Sequence, residues 1–466
     1  MSNLASPLEM FEALVDKLQK AFTSGVEAYD CVYNEIILLL PWILGMNGDN
    51  PMQSEFSSHI GMSGKCFCRI CYAKGPDTKN RPDGLDGDKQ FIEEYLSSTL
   101  EERTKAKVQE ALRTQLEEVL RGAPSNVAIL ATSSGVKDKF FQFFQEKLAD
   151  KCAKIKEEQR QNPLTSGRQQ LIDLLKDLHA TMPEDIFSPA LRLEDFDPSS
   201  DTPVEILHVI LLGFVKYFWR DAVSRQSPEG KEILKARINS FDTTGLGLPR
   251  ARGNTLVQYA GSLTGRDFRL VIQIAPSVLH GLLPPPAYEA WLALARLTPL
   301  AFQPQTDALS SYLDVLENAI YDFLAATALW TTQWFNKPKF HVIVHMVKHI
   351  RRFGPAILSA TESFESYNAV IHSRSINSNQ QAPSLDIAKS FHHMHAVRDL
   401  VSGGYFSAKP VRKMSLELMR RAGAGVRSLV KDKVFFFNLT PLETLHFRTA
   451  IQNSPKLNMH LCGAQC

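Results

Sequence analysis

Apolar residues recur along most of this chain at helical spacing. Over residues 6–24, Met10, Phe11, Leu14, Val15, Leu18 and Phe22 fall on one 3.6-period stripe. The opening Ser6-Pro7-Leu8-Glu9 supplies an N-cap, a first-turn proline and a first-turn acid. Gly25 ends that helix, and the pattern changes. Residues 26–33 and 35–46 read as strands. The second is apolar at consecutive positions, which predicts burial on both faces, with Pro41 marking a bulge or an edge. A polar loop rich in glycine, proline and aspartate follows over 75–88. Charged amphipathic helices are then predicted at 89–120, 137–161 and 167–181, and their charge runs read as solvated faces. With no strand pattern among them, residues 76–200 form an all-helical insertion. The stretch 204–223 is apolar around most of its circumference and predicts a central buried helix. Helices at 266–283, 286–297, 306–334, 339–352, 356–375 and 384–401 follow; beyond 405 the pattern holds one helix (411–422) and a short apolar strand (434–437). The expected fold class is mainly α with a small β-sheet.

A length of 466 residues suggests two or three domains, or one core with a large insertion. Apolar content of 44% and charged content of 22% are ordinary for a globular protein. A net charge of +2 exerts no global pull on nucleic acid, so a DNA surface would have to be a local patch. The C-terminal third has such a bias, in Arg351, Arg352, Arg374, Lys389, Arg398, Lys409, Arg412, Lys413, Arg420 and Arg421. Its contacts would be to phosphates and not sequence-specific, and ordinary exposed lysines and arginines explain it equally well. No segment matches a signal peptide, and the longest apolar runs are too short or interrupted to span a bilayer. A nuclear or cytoplasmic protein without membrane contact is expected.

Candidate chemistry concentrates between Pro41 and Gly75. The turn Asn47-Gly48-Asp49-Asn50-Pro51 follows the apolar run and puts Asp49 where a strand would leave its sheet. Carboxylates so placed can hold a divalent metal, though an aspartate in this context is commonly a turn former. Cys68-Arg69-Ile70-Cys71 follows, three of the seven cysteines lying within residues 66–71. Two residues between thiolates let both sulfurs meet one tetrahedral ion, so the motif reads as half a zinc site. A pair of small buried thiols is the plain alternative, and a redox pair lacks the βαβ context it would need. His59, His208, His341, His345 and His349 could complete a site; the last three lie four apart on one predicted helical face, where a ligand role and that of ordinary surface or core histidines are equally open. Glu362 and Glu365 form a late acidic pair three residues apart.

Four blocks together resemble a known family: GDNPMQSE followed by CFCRIC, then PVEILHVILLGFVKYFWRD, KFHVIVHMVKHIRRFGP and SFESYNAVI. Over about residues 1–405 the chain is similar to the CACTA (EnSpm-like, Plavaka-like) DDE transposases and to the transposase-derived proteins of mushroom-forming fungi. The resemblance implies a ribonuclease-H-like α/β core carrying the helical insertion, with an ancestral activity of metal-dependent DNA strand cleavage and joining. It implies Asp49 as the second catalytic acid, followed by Cys68 and Cys71, and Glu365 as the final acid in Phe364-Glu365-Ser366-Tyr367-Asn368, where serine replaces the family's usual arginine. Glu205-Ile-Leu-His208 resembles the family's acid-x-x-histidine block.

On this basis residues 1–75 are a partial core, 76–200 the insertion, 201–405 a helical region returning to the core, and 406–466 an extension. Mg2+ or Mn2+ at Asp49 and Glu365 is implied, with structural Zn2+ on Cys68, Cys71 and ligands among His208, His341 and His345. The family's first acid sits on an earlier strand; here Asp30 is the nearest candidate and does not match its block. The resemblance therefore implies an N-terminally truncated, inactive copy. The alternative is a non-catalytic, zinc-stapled scaffold binding DNA or protein.

Overall fold

The computed structural model describes residues 7–30, 35–75, 95–96, 100–161, 167–244, 247–378 and 381–402. The expectations for Ser6, for the 76–88 loop, for the 411–422 helix, for the 434–437 strand and for the basic residues beyond 402 lie outside them. The fold is mainly helical with a small β-sheet.

The chain divides into two compact units. The first joins Pro7–Gln19 to Trp42–Glu365. The second takes its described residues from within 20–41 and 366–402. In the second, β1 (Val26–Asp30) and β2 (Glu35–Leu39) pair antiparallel, with Val26 opposite Leu39 and Asp30 opposite Glu35. Two expectations fail here. The strand stops before Pro41, which has no N–H to continue a ladder. Nor is it buried on both faces: Ile36 is 73% exposed and Leu39 48%. The described sheet has two strands only, and a two-stranded sheet has no inner strand to bury.

The larger unit is built around residues 204–223, as their pattern predicts. Ile206, Val209, Ile210, Leu211, Phe214, Val215, Phe218 and Trp219 are all buried. The backbone is not a uniform α-helix: Leu207–Val215 winds in wide π turns before Lys216–Ser224 resumes the α form. Helices Gly265–Val278, Pro285–Ala301 and Leu309–Trp330 share one core with it. Phe214, Phe218, Phe323, Trp334 and Phe340 form its aromatic centre, with Phe214 and Phe340 ring centroids 4.6 Å apart. Each such ring contributes roughly 1.5–3 kcal/mol by leaving water.

The insertion is helical, but the helix expected over 89–120 is interrupted: residues 95–96 are helical, and a helix runs again from Lys105. Residues 100–104 run extended along the cysteine loop instead: Tyr72 N–H donates to Glu101 O, and Arg103 N–H to Ile70 O (2.9 Å). Thr104 then caps Lys105–Leu120. Ser125–Ser134, Pro228–Ser240 and Gly253–Gln258 are helices that the apolar periodicity left unmarked. Lys339–Val342 and Met346–Phe353 are separated by a tight 3-10 turn at Ile343–His345, where one continuous helix was expected. The helix expected from 356 starts at Glu362, after a 3-10 turn at Ala356–Ser359.

Candidate metal centre

Cys68 and Cys71 lie in a loop whose carbonyls are tied down by one guanidinium. Arg103 Nε donates to the carbonyls of Cys68 (2.9 Å) and Cys71 (3.0 Å), and its plane lies over Tyr72 at 4.4 Å. The Ile70 N–H points at Cys68 Sγ (3.4 Å). Against this loop pack His341, on the short helix after Pro338, and His345, in the following 3-10 turn. Cys71 Sγ is 3.1 Å from His341 Nε2, Cys68 Sγ is 3.5 Å from His345 Nε2, and the two Nε2 atoms are 3.2 Å apart. All four ligand atoms lie within 4.8 Å of one another, and all four residues are buried.

A tetrahedral zinc ion with Zn–S about 2.3 Å and Zn–N about 2.05 Å would separate sulfur from nitrogen by about 3.5 Å and nitrogen from nitrogen by about 3.3 Å. The spacing found matches. His341 Nδ1–H donates to the Tyr95 carbonyl, which leaves the Nε2 lone pair facing the thiols. Burial pushes the Cys68 thiol up, but its hydrogen bond with Cys71 and the charges of His345 and His341 outweigh this and hold it well below the ordinary thiol range. Cys71 is driven up, first by that same hydrogen bond and then by burial. One thiol is thus poised to lose its proton first, as thiolate ligation requires. The four residues could hold a metal such as zinc.

The other two candidate histidines near this centre are already engaged. His59 uses both ring nitrogens locally, Nε2 with Cys66 O (2.8 Å) and Nδ1 with the Gly61 N–H (3.0 Å). Burial, then the charge of Arg103, lowers its pKa to about 3. His349 Nδ1 accepts the Val204 N–H (2.8 Å), fixing the start of the central helix against the metal-bearing segment. Arg69, between the two cysteines, makes the matching connection. It donates to Thr202 Oγ1, Thr202 O and Pro203 O (each 3.1 Å) and reaches Asn50 Oδ1 at 3.4 Å.

His208, expected among the zinc ligands, lies elsewhere. The fully buried Glu205 holds it: Glu205 Oε2 accepts His208 Nδ1–H and the His208 backbone N–H, both at 2.7 Å. Glu205 Oε1 takes the Leu207 N–H (2.7 Å) and the Thr361 N–H (3.0 Å). One carboxylate therefore caps the central helix, orients the imidazole and sets where the Glu362–Ile376 helix begins. The outward His208 Nε2 is 3.7 Å from Glu365 Oε1. Its pKa is raised, chiefly by Glu205 and against partial burial, with further contributions from Asp49 and Glu365. Glu365 thus approaches the His208 ring, and the charge of Asp49 acts on it as well. Asp49 does not end a strand; it is the N-cap of Asn50–Phe56, its Oδ1 accepting the Met52 N–H at 2.9 Å.

No protein-family profile, curated protein or solved structure matches this chain. Among the described residues no helix is long and apolar enough to cross a membrane, as the apolar runs indicate.

The candidate residues therefore fall into two groups. Cys68, Cys71, His341 and His345 meet at metal-sharing distances; Asp49, His208 and Glu365 gather without forming such a set. Arg69, Arg103 and Tyr95, which position the first group, carry no signal in the sequence, because each acts through backbone carbonyls far along the chain.

Proposed function

We propose that this is a transposase-derived protein whose ribonuclease-H-like ancestor cut and joined DNA with a divalent cation. In this reading Cys68, Cys71, His341 and His345 hold a structural zinc, and Asp49 and Glu365 are the ancestral acids. The observation that carries it is that Asp49 and Glu365, from distant parts of the chain, both act on the His208 ring, Glu365 at 3.7 Å, in a unit that also holds the cysteine–histidine cluster. Arg69 and His349 support it further, since they couple the zinc-binding loop to the segments that bear Asp49 and Glu205. A divalent cation, when bound between such acids, would polarise a phosphodiester and lower the pKa of its water. The part of the chain's own residues is to present Asp49 and Glu365, and to hold the His208 ring, oriented by Glu205, with its Nε2 toward Glu365.

Two acids with a histidine of raised pKa between them also describe a salt-linked cluster that needs no cation. That observation favours the second reading, a non-catalytic zinc-stapled scaffold binding DNA or protein. Nicking of supercoiled plasmid decides between the two. Cleavage that needs Mg2+ or Mn2+ and is lost in Asp49→Ala and in Glu365→Ala supports the enzyme. A zinc-loaded wild-type chain that leaves the plasmid intact supports the scaffold.

A further inference from the structure

Lys216, Lys337 and Lys339 come from three elements: the head of Lys216–Ser224, the end of the Thr332–Asn336 turn and the head of Lys339–Val342. Two of them meet over one ring, and the third acts on one of those two. Lys337 Nζ and Lys339 Nζ each lie 5.4 Å from the Tyr217 centroid. Tyr217 in turn stacks on Trp334, with ring planes 8° apart, so its position is set by the core. The Lys339 ammonium sits 3.3 Å from the Leu212 carbonyl and is close enough to Lys216 for the two charges to repel. None of the three lysines makes an ion pair among the described residues. Elsewhere in the larger unit cations do find acids: Arg225 with Asp221, Arg352 with Asp201 and Lys348 with Glu102.

The cluster also adjoins His208. Gly213 separates them: a Cβ built there would lie 3.0 Å from Lys339 Cδ and 2.9 Å from the His208 carbonyl oxygen. The glycine in the π-wound segment therefore lets the lysine stem lie along the backbone that carries His208. Like charges held together raise the free energy of the fold, a cost offset at Lys339 only in part by the charge of Glu205, and an anion with several regularly spaced charges would relieve the rest.

We propose that Lys337 and Lys339, over Tyr217, together with the neighbouring Lys216, form a cradle for the backbone phosphates of nucleic acid beside His208. This deepens the DNA-handling reading above and rests on it for the choice of polyanion. Contacts of this kind are independent of base sequence and strongly salt-dependent.

Fluorescence anisotropy of a labelled random-sequence DNA duplex, titrated with the full zinc-loaded chain over a range of NaCl concentrations, tests this. The variant Lys216→Gln/Lys337→Gln/Lys339→Met keeps side-chain bulk and removes the charges. Expected are a loss of affinity of about tenfold or more and a salt slope shallower by about two to three. Lys154→Gln/Lys176→Gln, on insertion helices, should bind like wild type. Zinc content and near-UV circular dichroism check folding; if the triple variant fails there, Lys216→Gln/Lys337→Gln replaces it, with a slope change of about two expected. Unchanged affinity and slope in the folded variant would overturn the cradle, as would binding to polyglutamate or anionic vesicles but not to DNA. A wild-type chain that binds DNA through these lysines yet never nicks plasmid leaves the cradle standing and removes the enzyme reading. Nicking that survives the triple variant with unchanged DNA binding does the reverse.

Discussion

Glu205 Oε2 lies 2.7 Å from His208 Nδ1, and the same carboxylate accepts the N–H of Thr361, more than a hundred residues later. One buried acid thereby fixes an imidazole and the start of the helix that carries Glu365. Glu205→Gln would turn an NH2 toward groups that are all donors. His208 should then titrate lower than in wild type, by about one pH unit or more. The sign follows from its raised pKa: its contribution to stability is present below the unfolded value of 6.5 and is lost as pH rises through the folded value. An NMR titration of the His208 ring in both proteins measures this, and equal values would show that Glu205 does not control the imidazole.

Zinc should bind stoichiometrically, one ion per chain by elemental analysis, and persist in millimolar thiol reductant. Cys71→Ser and His341→Ala should each abolish stoichiometric binding and lower the melting temperature. Chelation should destabilise wild type by several kcal/mol, because a structural zinc site contributes directly to folding, roughly 10 kcal/mol or more in isolated zinc peptides. A protein that is equally stable with and without chelator would leave the four residues as buried core.

Acid should unfold the protein partly through His59. The ring is 6% exposed and kept neutral, its pKa lowered to about 3 by burial and then by Arg103. A depressed base contributes stability above its unfolded pKa of 6.5 and loses it as pH falls toward the folded value. The loss over that window is on the order of 5 kcal/mol at most. Urea melts at several pH values should show a shallower acid-side slope for His59→Gln than for wild type.

Gly213→Ala should destabilise the fold while removing no charge, its methyl meeting the flexible Lys339 stem at 3.0 Å as well as backbone. The added methyl meets the His208 carbonyl at 2.9 Å, which is backbone and cannot swing aside. A cost of about 1–3 kcal/mol is expected, read as a lower urea midpoint at constant m-value. Stability equal to wild type would mean that the wide turns there relax freely.

Much of the architecture is legible in the residue pattern. The central segment 204–223 is apolar on nearly every side, and a segment with no polar face has only a core to occupy. The spacing of Cys68 and Cys71 makes a shared ion chemically natural in any fold. The mistakes have a common source. The strand through Pro41, the unbroken helix over 89–120 and the unbroken helix through His345 all follow from local periodicity. Each is overridden by backbone partners that periodicity cannot see: the missing proline N–H, the Glu101–Arg103 pairing with the cysteine loop, and the packing of His341 and His345 onto that loop.

From the order of residues alone come the helical class of the chain, its buried centre, the cysteine half of a metal site and a short list of acids and histidines. Which histidines face the thiols could not be read there, because His341, His345 and His349 share one spacing while their neighbours differ. Packing supplied the answer: Tyr95 turns one ring inward, Val204 occupies another, and Glu205 draws His208 away to Asp49 and Glu365. Ligand geometry depends on directions in space, and those are set by contacts between segments far apart in the chain.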